Sequence, residues 1–452
     1  MRIVVVGDGK VGFTLTERLA AEGHDLVVID TNSRTLAALS NALDVITIQG
    51  NGASYRIQKE AGVERCDLLI AVTSMDEINI VCCMVAKKLG AGHTIARVRN
   101  PDYVEQLVFL RDELGLSMAV NPEWSAALEI ARSLRYPSAI KVETFARSRA
   151  DLIEYRIPEG SVLDGKPLHK IREALKLRPL VCAVRRGDEV HIPSGDFILQ
   201  AGDHIHVNLP PSEITAFFKR LGVSSHSVKD VMIVGGGRMA YYLAREMLEA
   251  GAQVKIIERD GTVAGNLCER LPHALVIQGD GTDTNLLAEE GLDNVGAFVS
   301  LTGMDEENIL LSLYARTRTK GKIVAKVDRV AFLSVLDNLG LDSFISPKSI
   351  AADTIVRFVR AMENAGSSNI ETLHRMVGGR VEGLEFHVKS EAAHLGKPLR
   401  ELPLKPDLLI GSIARQGRII IPQGSDTIEA GDRVVVITAG RTLNEYNDIF
   451  IA

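Results

Sequence analysis

The chain has 452 residues, 46% hydrophobic and 24% charged, a globular composition whose length suits roughly three or four domains. The 52 Lys and Arg against 58 Asp and Glu leave a net charge of −6, with no basic tail and no positive field of the kind that nucleic acid demands. No apolar run approaches the ~20 residues that span a bilayer. The longest candidates, such as INIVCCMVA (78–86), stop at Lys87 and Lys88.

Met1 leads straight into a strand pattern, without the basic flank, apolar core and cleavage site of a secretory signal, so a soluble cytosolic protein is expected. Strand and helix patterns then alternate through residues 1–140: IVVVG, FTLTERLAAEG, LVVID, VITIQ, LLIAV, INIVCCMVAKKLG and TIARV. That alternation predicts a doubly wound, Rossmann-like α/β domain with a parallel sheet and helices on both faces. A helical stretch at 123–136 is suited to carry the chain across to a neighbour. Residues 141–225 change to short β-like runs broken by turns such as PEGS, IPSG and AGD, the pattern of a smaller α+β domain. A brief polar link at 226–230 leads into a second Rossmann-like region, 230–365, and a second small domain, 370–452. Between these two, AMENAGSSNIET (361–372) reads as a flexible join.

The second half restates the first. VVVGDGKVG (4–12) matches MIVGGGRMA (232–240), so Gly7 falls on Gly235, Gly9 on Gly237 and Asp30 on Glu258, all at an offset of 228. AVTSMDEINI (71–80) matches SLTGMDEENI (300–309), and ARV (96–98) matches AKV (325–327), with the offset at 229. In the small domains VLDGKPLHKI (162–171) matches HLGKPLREL (394–402), and IPSGDFILQAGDHIHV (192–207) matches IPQGSDTIEAGDRVVV (421–436). The chain is one unit of about 230 residues written twice.

G-D-G-K-V-G (7–12) follows a strand pattern and opens a helix pattern, the setting in which G-x-G-x-x-G holds dinucleotides. Gly7 permits the tight turn, Gly9 lets backbone approach a pyrophosphate, and Gly12 allows the helix to pack closely, while free N–H groups at the helix start face the phosphates. Asp30, at the end of the next strand, is placed for a ribose diol and repels a 2′-phosphate, which favours NAD or an adenine nucleotide over NADP. The second loop, G-G-G-R-M-A (235–240), ends on Ala240, and Arg238 and Met239 are expected to crowd its entrance more than Lys10 and Val11 do; Glu258 keeps the acid. Thr73 and Ser74, with Thr302 and Gly303 opposite, end a strand where ligands bind such sheets, or else cap the helix that follows. Arg97 and Lys326 end a later strand, where each suits a phosphate or carboxylate or simply a solvated strand end.

Catalytic chemistry is not legible. A dehydrogenase needs a different second domain and an acid–base group against the nicotinamide, and here the second unit copies the first. No P-loop, H-E-x-x-H or nucleophile elbow occurs. His204 and His206 share a strand face but lack a third metal ligand, so they read as a polar strand edge. Cys66, Cys82, Cys83, Cys182 and Cys268 read as reduced packing residues. An NAD-dependent oxidoreductase using one half is the rival reading, and a redox-sensing transcription factor lacks a DNA-binding module.

The order of the glycine loop, Asp30, Q-G-N-G (49–52), A-V-T-S-x-D-E-x-N (71–79), A-R-V-R-N-P-D-Y (96–103) and N-P-E-W-S-A-A-L-E-I-A-R (121–132) resembles the RCK/KTN family. The small domains, with V-L-D-G-K-P-L and I-P-S-G-D…A-G-D, are similar to its C-terminal domain, so the likeness runs the full length as two RCK_N–RCK_C units. The resemblance implies a regulator and not an enzyme: a protein without catalytic residues or metal, held peripherally on the cytoplasmic face of the inner membrane by an integral-membrane, Trk-type potassium-translocating subunit whose gating it changes. It implies NAD(H) as ligand, with ATP or ADP in some members, and a homo-oligomeric ring, such as a tetramer. By motif position, Gly7, Asp8, Gly9, Lys10, Val11 and Gly12 would cradle phosphates, Asp30 would hold ribose, and Thr73, Ser74 and Arg97 would complete the site. Gly235, Gly236, Gly237, Arg238, Met239, Glu258, Thr302, Gly303 and Lys326 would do the same in the second half.

Overall fold

The computed structural model describes residues 1–103, 106, 113–137, 139–145, 150–223, 228–329, 341, 343–367, 370–377, 380–440, 443 and 445–451. Contacts divide the chain into two units, Met1–Ile130 with Asp230–Phe358, and Ala131–Lys229 with Val359–Ala452.

In the first unit, β1 (Arg2–Val6), β2 (Asp25–Asp30), β3 (Ile46–Gln49), β4 (Leu68–Ala71), β5 (His93–Arg97) and β6 (Met118–Val120) form an all-parallel sheet in the order β3-β2-β1-β4-β5-β6. The runs RIVVV, DLVVID and LLIA are apolar without a break because both faces are covered. Val4, Val6, Val27 and Ile29 pack with Cys82, Cys83 and Ala86 of α4 (Asp76–Leu89). Their neighbours Ile3, Val5, Leu26 and Val28 turn to the opposite face, where α1 (Lys10–Ala21) and α2 (Ser33–Ala42) lie along β1, β2 and β3. Strand order reverses between β1 and β4, which opens a crevice at the carboxyl ends of the strands. The short α3 (Tyr55–Glu60) and α5 (Pro122–Arg135) complete this copy, the latter on the stretch read as helical.

In the second unit, β7 (Lys141–Phe145), β8 (Ala150–Arg156), β9 (Leu180–Arg186), β10 (Glu189–His191) and β11 (His204–Leu209) form an antiparallel sheet in the order β10-β9-β11-β8-β7, with α6 (Leu168–Leu175) and α7 (Pro211–Arg220). Its core joins Ile153, Tyr155, Ile205 and Val207 to Phe217 and Phe218 of α7.

The first unit then takes up the repeat. Strands β12 (Asp230–Val234), β13 (Gln253–Glu258), β14 (Leu275–Gln278), β15 (Ala297–Ser300), β16 (Lys322–Lys326) and β17 (Phe344–Ile345) reproduce the parallel order as β14-β13-β12-β15-β16-β17. Helices α8 (Arg238–Glu249), α9 (Gly261–Arg270), α10 (Thr284–Glu289) and α11 (Asp305–Arg318) correspond to α1 through α4, and α12 (Pro347–Ser367) follows. The second small sheet, β18 (Ile370–Met376), β19 (Val381–His387), β20 (Leu408–Arg415), β21 (Arg418–Ile420) and β22 (Arg433–Ala439), runs β18-β19-β22-β20-β21, the same topology as β7 to β11. The A-G-D turns have a shared reason. Asp203 and Asp432 are buried and receive Arg186 and Arg415 in two-pronged pairs at 2.8–2.9 Å.

Three expectations change. Residues 361–367 of the join read at 361–372 are helical, the last turns of α12, because Ala361, Met362 and Glu363 are strong helix formers; β18 starts at Ile370, and 368–369 lie outside the described residues. His204 and His206 are not at a sheet edge: β11 is interior, flanked by β8 and β9, so His206 is 4% exposed and His204 Nδ1 lies 3.1 Å from Glu154 Oε1. No group of three metal-binding side chains occurs among the described residues. Four cysteines are buried, and burial pushes the thiols of Cys66 to about 11 and of Cys82 and Cys182 to about 12, but Cys268 is exposed on α9.

Candidate functional site

Each parallel sheet carries a glycine loop at its switch point, and the first shows why each glycine is there. Gly7 sits at φ +101°, and a Cβ on it would lie 2.9 Å from the Thr73 backbone N. Its N–H donates to the Ile29 carbonyl at 2.8 Å, so the loop is sewn to β2. A Cβ at Gly12 would sit 1.9 Å from the Gly7 carbonyl oxygen, so this glycine serves the turn itself before it serves helix packing. Gly9 has open space where a side chain would be, and it precedes α1 without any side-chain cap, leaving helix-start N–H groups free for an anion. Lys10 is exposed beside it and Val11 is buried beneath.

Asp30 is already engaged. Its Oδ2 accepts the Asp8 N–H at 2.6 Å and its Oδ1 accepts the Asn32 N–H at 2.8 Å, so the acid ties the end of β2 to the loop while keeping lone pairs free for a ribose. Asp8 lies beside it, and burial, reinforced by the Asp30 charge, pushes the Asp8 carboxyl up to about 6.

Across the crevice, the residue that organises the end of β4 is Asn79, fully buried on α4. Its Oδ1 accepts from the Thr73 N–H at 2.8 Å and the Thr73 hydroxyl at 2.7 Å, and its Nδ2 donates to the carbonyls of Arg97, at 2.9 Å, and Thr73, at 3.3 Å. Arg97 is not a solvated strand end. Its Nη2 donates to the Thr73 carbonyl at 2.8 Å, its Nε is buried without a partner, and burial, with Arg99 and Arg238 adding repulsion, lowers it to about 10. Thr73 and Ser74 do not cap α4, whose cap position is Met75 with no side-chain bond. Ser74 is exposed, and its carbonyl accepts from Arg99. Asp76, also buried, accepts the N–H groups of Arg99 and Asn100 at 2.8 Å each.

The second copy repeats this frame. Gly235 has φ +98° and donates to the Ile257 carbonyl at 2.9 Å; Gly237 has open space. Glu258 accepts the N–H groups of Gly236 and Asp260. Asn308 accepts the Thr302 N–H at 2.8 Å and donates to the Lys326 carbonyl at 3.0 Å, and Lys326 Nζ donates to the Thr302 carbonyl at 3.1 Å. Gly303 is exposed with nothing near it. Met239 does not crowd the entrance as expected: it occupies the inward helix position of Val11 and is 5% exposed. Arg238 is exposed like Lys10, and Ala240 is fully buried.

The copies also touch. The Tyr242 hydroxyl, on the glycine-loop helix of the second copy, donates to the Arg99 carbonyl at 2.8 Å and accepts from Asn121 Nδ2 at 2.9 Å. Sequence reading passed over Asp76, Asn79, Asn121 and Tyr242. The repeated M-D-E-x-N string was the available clue for the first two; the last pair meets only through tertiary structure.

Two glycine loops on Rossmann-type sheets, each followed by a small antiparallel domain, define a class, and family models match it piece by piece. The TrkA-N domain matches residues 3–122 and 231–347, and the TrkA-C domain matches 152–222 and 384–451. The Trk system potassium uptake protein TrkA homolog 1 of Methanosarcina mazei is 33% identical, with 100% of both chains covered. Trk system potassium uptake protein TrkA of Haemophilus influenzae is 32% identical over 96% of this chain and 95% of its own. The chain belongs to the TrkA family of Trk system potassium uptake proteins. Among solved structures, the GsuK RCK domain shares the fold with a TM-score of 0.64 at 19% identity, covering 97% of this chain and 92% of its own. The GsuK channel bound to NAD has a TM-score of 0.63 at 20% identity over 97% of this chain and 77% of its own.

Proposed function

We propose that this chain is a nucleotide-responsive regulatory subunit of a potassium uptake system, with no catalytic role of its own. The observation that carries this reading is the duplicated loop: at Gly9 and at Gly237 an uncapped helix start faces open space, beside an acid anchored at the end of the next strand. Such a loop takes a pyrophosphate on backbone N–H groups and a ribose on the acid. In the first copy Gly7, Asp8, Gly9, Lys10, Val11 and Gly12 surround the phosphates, Asp30 receives the ribose, and Thr73, Ser74 and Arg97 face the ligand's far half. In the second, Gly235 to Met239, Glu258, Thr302, Gly303 and Lys326 have these roles. NAD(H) is the ligand proposed, with ADP or ATP as competitors.

The full-length similarity to proteins named for potassium uptake supports the partner proposed, an integral-membrane Trk-type potassium-translocating subunit. No helix among the described residues is long and apolar enough to cross a membrane, so attachment at the cytoplasmic face is assigned to that partner. Four copies assembled as a ring would offer nucleotide-dependent shapes for the pore to follow. The test is potassium flux through the reconstituted membrane subunit, with and without this chain, as nucleotide is varied. A coupling of about 1–3 kcal/mol would change flux several-fold to about a hundred-fold. Flux indifferent to the chain under every nucleotide would overturn the reading, and sustained turnover of NADH with a hydroxy acid or ketone would favour an oxidoreductase instead.

A further inference from the structure

The two loops differ at the residue after the first glycine, and the difference is chemical. In the first copy this is Asp8, 6% exposed, with Oδ1 buried and without a hydrogen-bond partner. Its own N–H is bound to Asp30, so the two carboxyl groups are held close together. In the second copy it is Gly236, where a Cβ would lie 2.7 Å from Leu267 Cδ1 and 2.9 Å from Glu258 Oε2, so that loop lacks the carboxyl and could take one only by displacing the ends of Leu267 and Glu258.

A carboxylate left in such a place without a donor is in an unfavourable state, and the neutral acid is relatively favoured. Of the charged groups on the elements around Asp8, namely Lys10, Glu17 and Arg18 on α1, Asp30 at the end of β2 and Arg34 on α2, only Asp30 shifts its titration.

We propose that Asp8 is a proton-binding residue of the first nucleotide loop: nucleotide entering this loop takes up a proton on Asp8, so the first loop fills more tightly as pH falls while the second is indifferent to pH. The inference rests on the nucleotide reading above. Phosphates at the start of α1 add negative charge close to Asp8, and a ribose over Asp30 removes the remaining water. Both effects raise the proton affinity of Asp8 when nucleotide is bound. The free carboxyl titrates near 6, so the coupling operates from about neutral pH down to about 6 and is complete below that. The balance is simple: one proton passes from solvent to the carboxylate, and no bond in the nucleotide changes.

The test is calorimetric titration of NAD⁺, which has no group titrating between about pH 5.5 and 8, into the full chain. Gly237→Asp closes the second loop so that the first reports alone, and Gly9→Asp does the reverse. The expected result is a Kd for the first loop that falls about ten-fold from pH 8 to pH 6, with up to one proton taken up per NAD⁺, read from the dependence of heat on buffer ionisation. The second loop should give a flat profile. Asp8→Asn in the Gly237→Asp background should bind at pH 8 as tightly as the parent does at pH 6, without proton uptake. Equal pH slopes in the two loops, or a slope that survives Asp8→Asn, would overturn the inference alone. No NAD⁺ binding to either loop at any pH would overturn it together with the nucleotide reading.

Discussion

The two Rossmann copies keep the hydrogen bonds that frame the loop and exchange side chains around them. Asn79 and Asn308 make corresponding bonds to the ends of β4 and β5 and of β15 and β16, and Asp30 and Glu258 hold the same loop N–H. Asp8 faces Gly236, Gly12 faces Ala240, and Arg99 faces Asp328. What is common is therefore the scaffold that presents a loop; what has diverged is the charge and space around it. Duplication with divergence of this kind leaves two loops on one frame with different surroundings, so that each can differ in what it accepts.

The strongest test of the common part is Asn79→Leu beside Asn308→Leu. Each leaves a buried N–H and a buried carbonyl without a partner, a loss of about 3 kcal/mol in denaturant unfolding of the full chain. Equal losses would uphold the shared scaffold; a small loss in one copy would show that the copies differ here too. Next is the exchange at the third loop position. Gly12→Ala places a Cβ against the Gly7 carbonyl and should cost about 1–3 kcal/mol and displace nucleotide from the first loop. Ala240→Gly should cost no more than about 1 kcal/mol, the helix-propensity difference, since that loop already holds a methyl group.

Most of this frame was legible. Continuous apolar runs, glycines at fixed spacing and an offset of 228 to 229 report local patterns, and local patterns specify parallel strands and loop turns. Side-chain direction was harder. Met239 reads as an obstacle in a string of letters, yet its place on the first turn of α8 directs it inward. Asn79 reads as one polar residue in an apolar helix, and only the assembled sheet supplies the four partners that make it an anchor. Arg97 ends β5 as expected, whereas Thr73 lies two residues past the end of β4, and that each satisfies the other's neighbourhood depends on strand register.

A smaller effect separates the copies by pH. The folded state raises the Asp8 carboxyl from its ordinary value near 3.8 to about 6, so ionising it works against folding. That cost is absent below about pH 4, grows as pH rises to about 6 and is constant above. Asp8→Asn should therefore raise the melting temperature at pH 7.5 and leave it unchanged at pH 4, a gain on the order of 1 kcal/mol after solvent screening. The second loop has no counterpart, so Gly236 offers no such gain.

The least disruptive change probes how the copies communicate. Tyr242 has no equivalent in the first copy: its counterpart Thr14 bonds only within its own helix, to the Lys10 carbonyl at 3.0 Å. Tyr242 reaches from the glycine-loop helix of the second copy to the Arg99 carbonyl, and Arg99 in turn is held by Asp76 and by the Ser74 carbonyl at the far side of the first site. A nucleotide that shifts α8 would thus pull on the first site through this hydroxyl, while from α1 the corresponding reach into the second copy is made by Arg18, to the Ser349 carbonyl and the Asp353 carboxylate on α12. The binding coupling must still be reciprocal in free energy, whichever loop is filled first. Tyr242→Phe keeps the ring and its packing and removes the hydroxyl, so stability should fall by about 0.5–1 kcal/mol. The coupling, measured as the ratio of NAD⁺ affinities at the first loop with the second loop filled and closed, should shrink toward one. Thr14→Val is the control and should leave that ratio unchanged. If Tyr242→Phe loses stability but keeps the full ratio, the hydroxyl only packs the copies together, and the communication between them passes through their other contacts, such as Arg18 with Asp353 and Arg270 with Asp102.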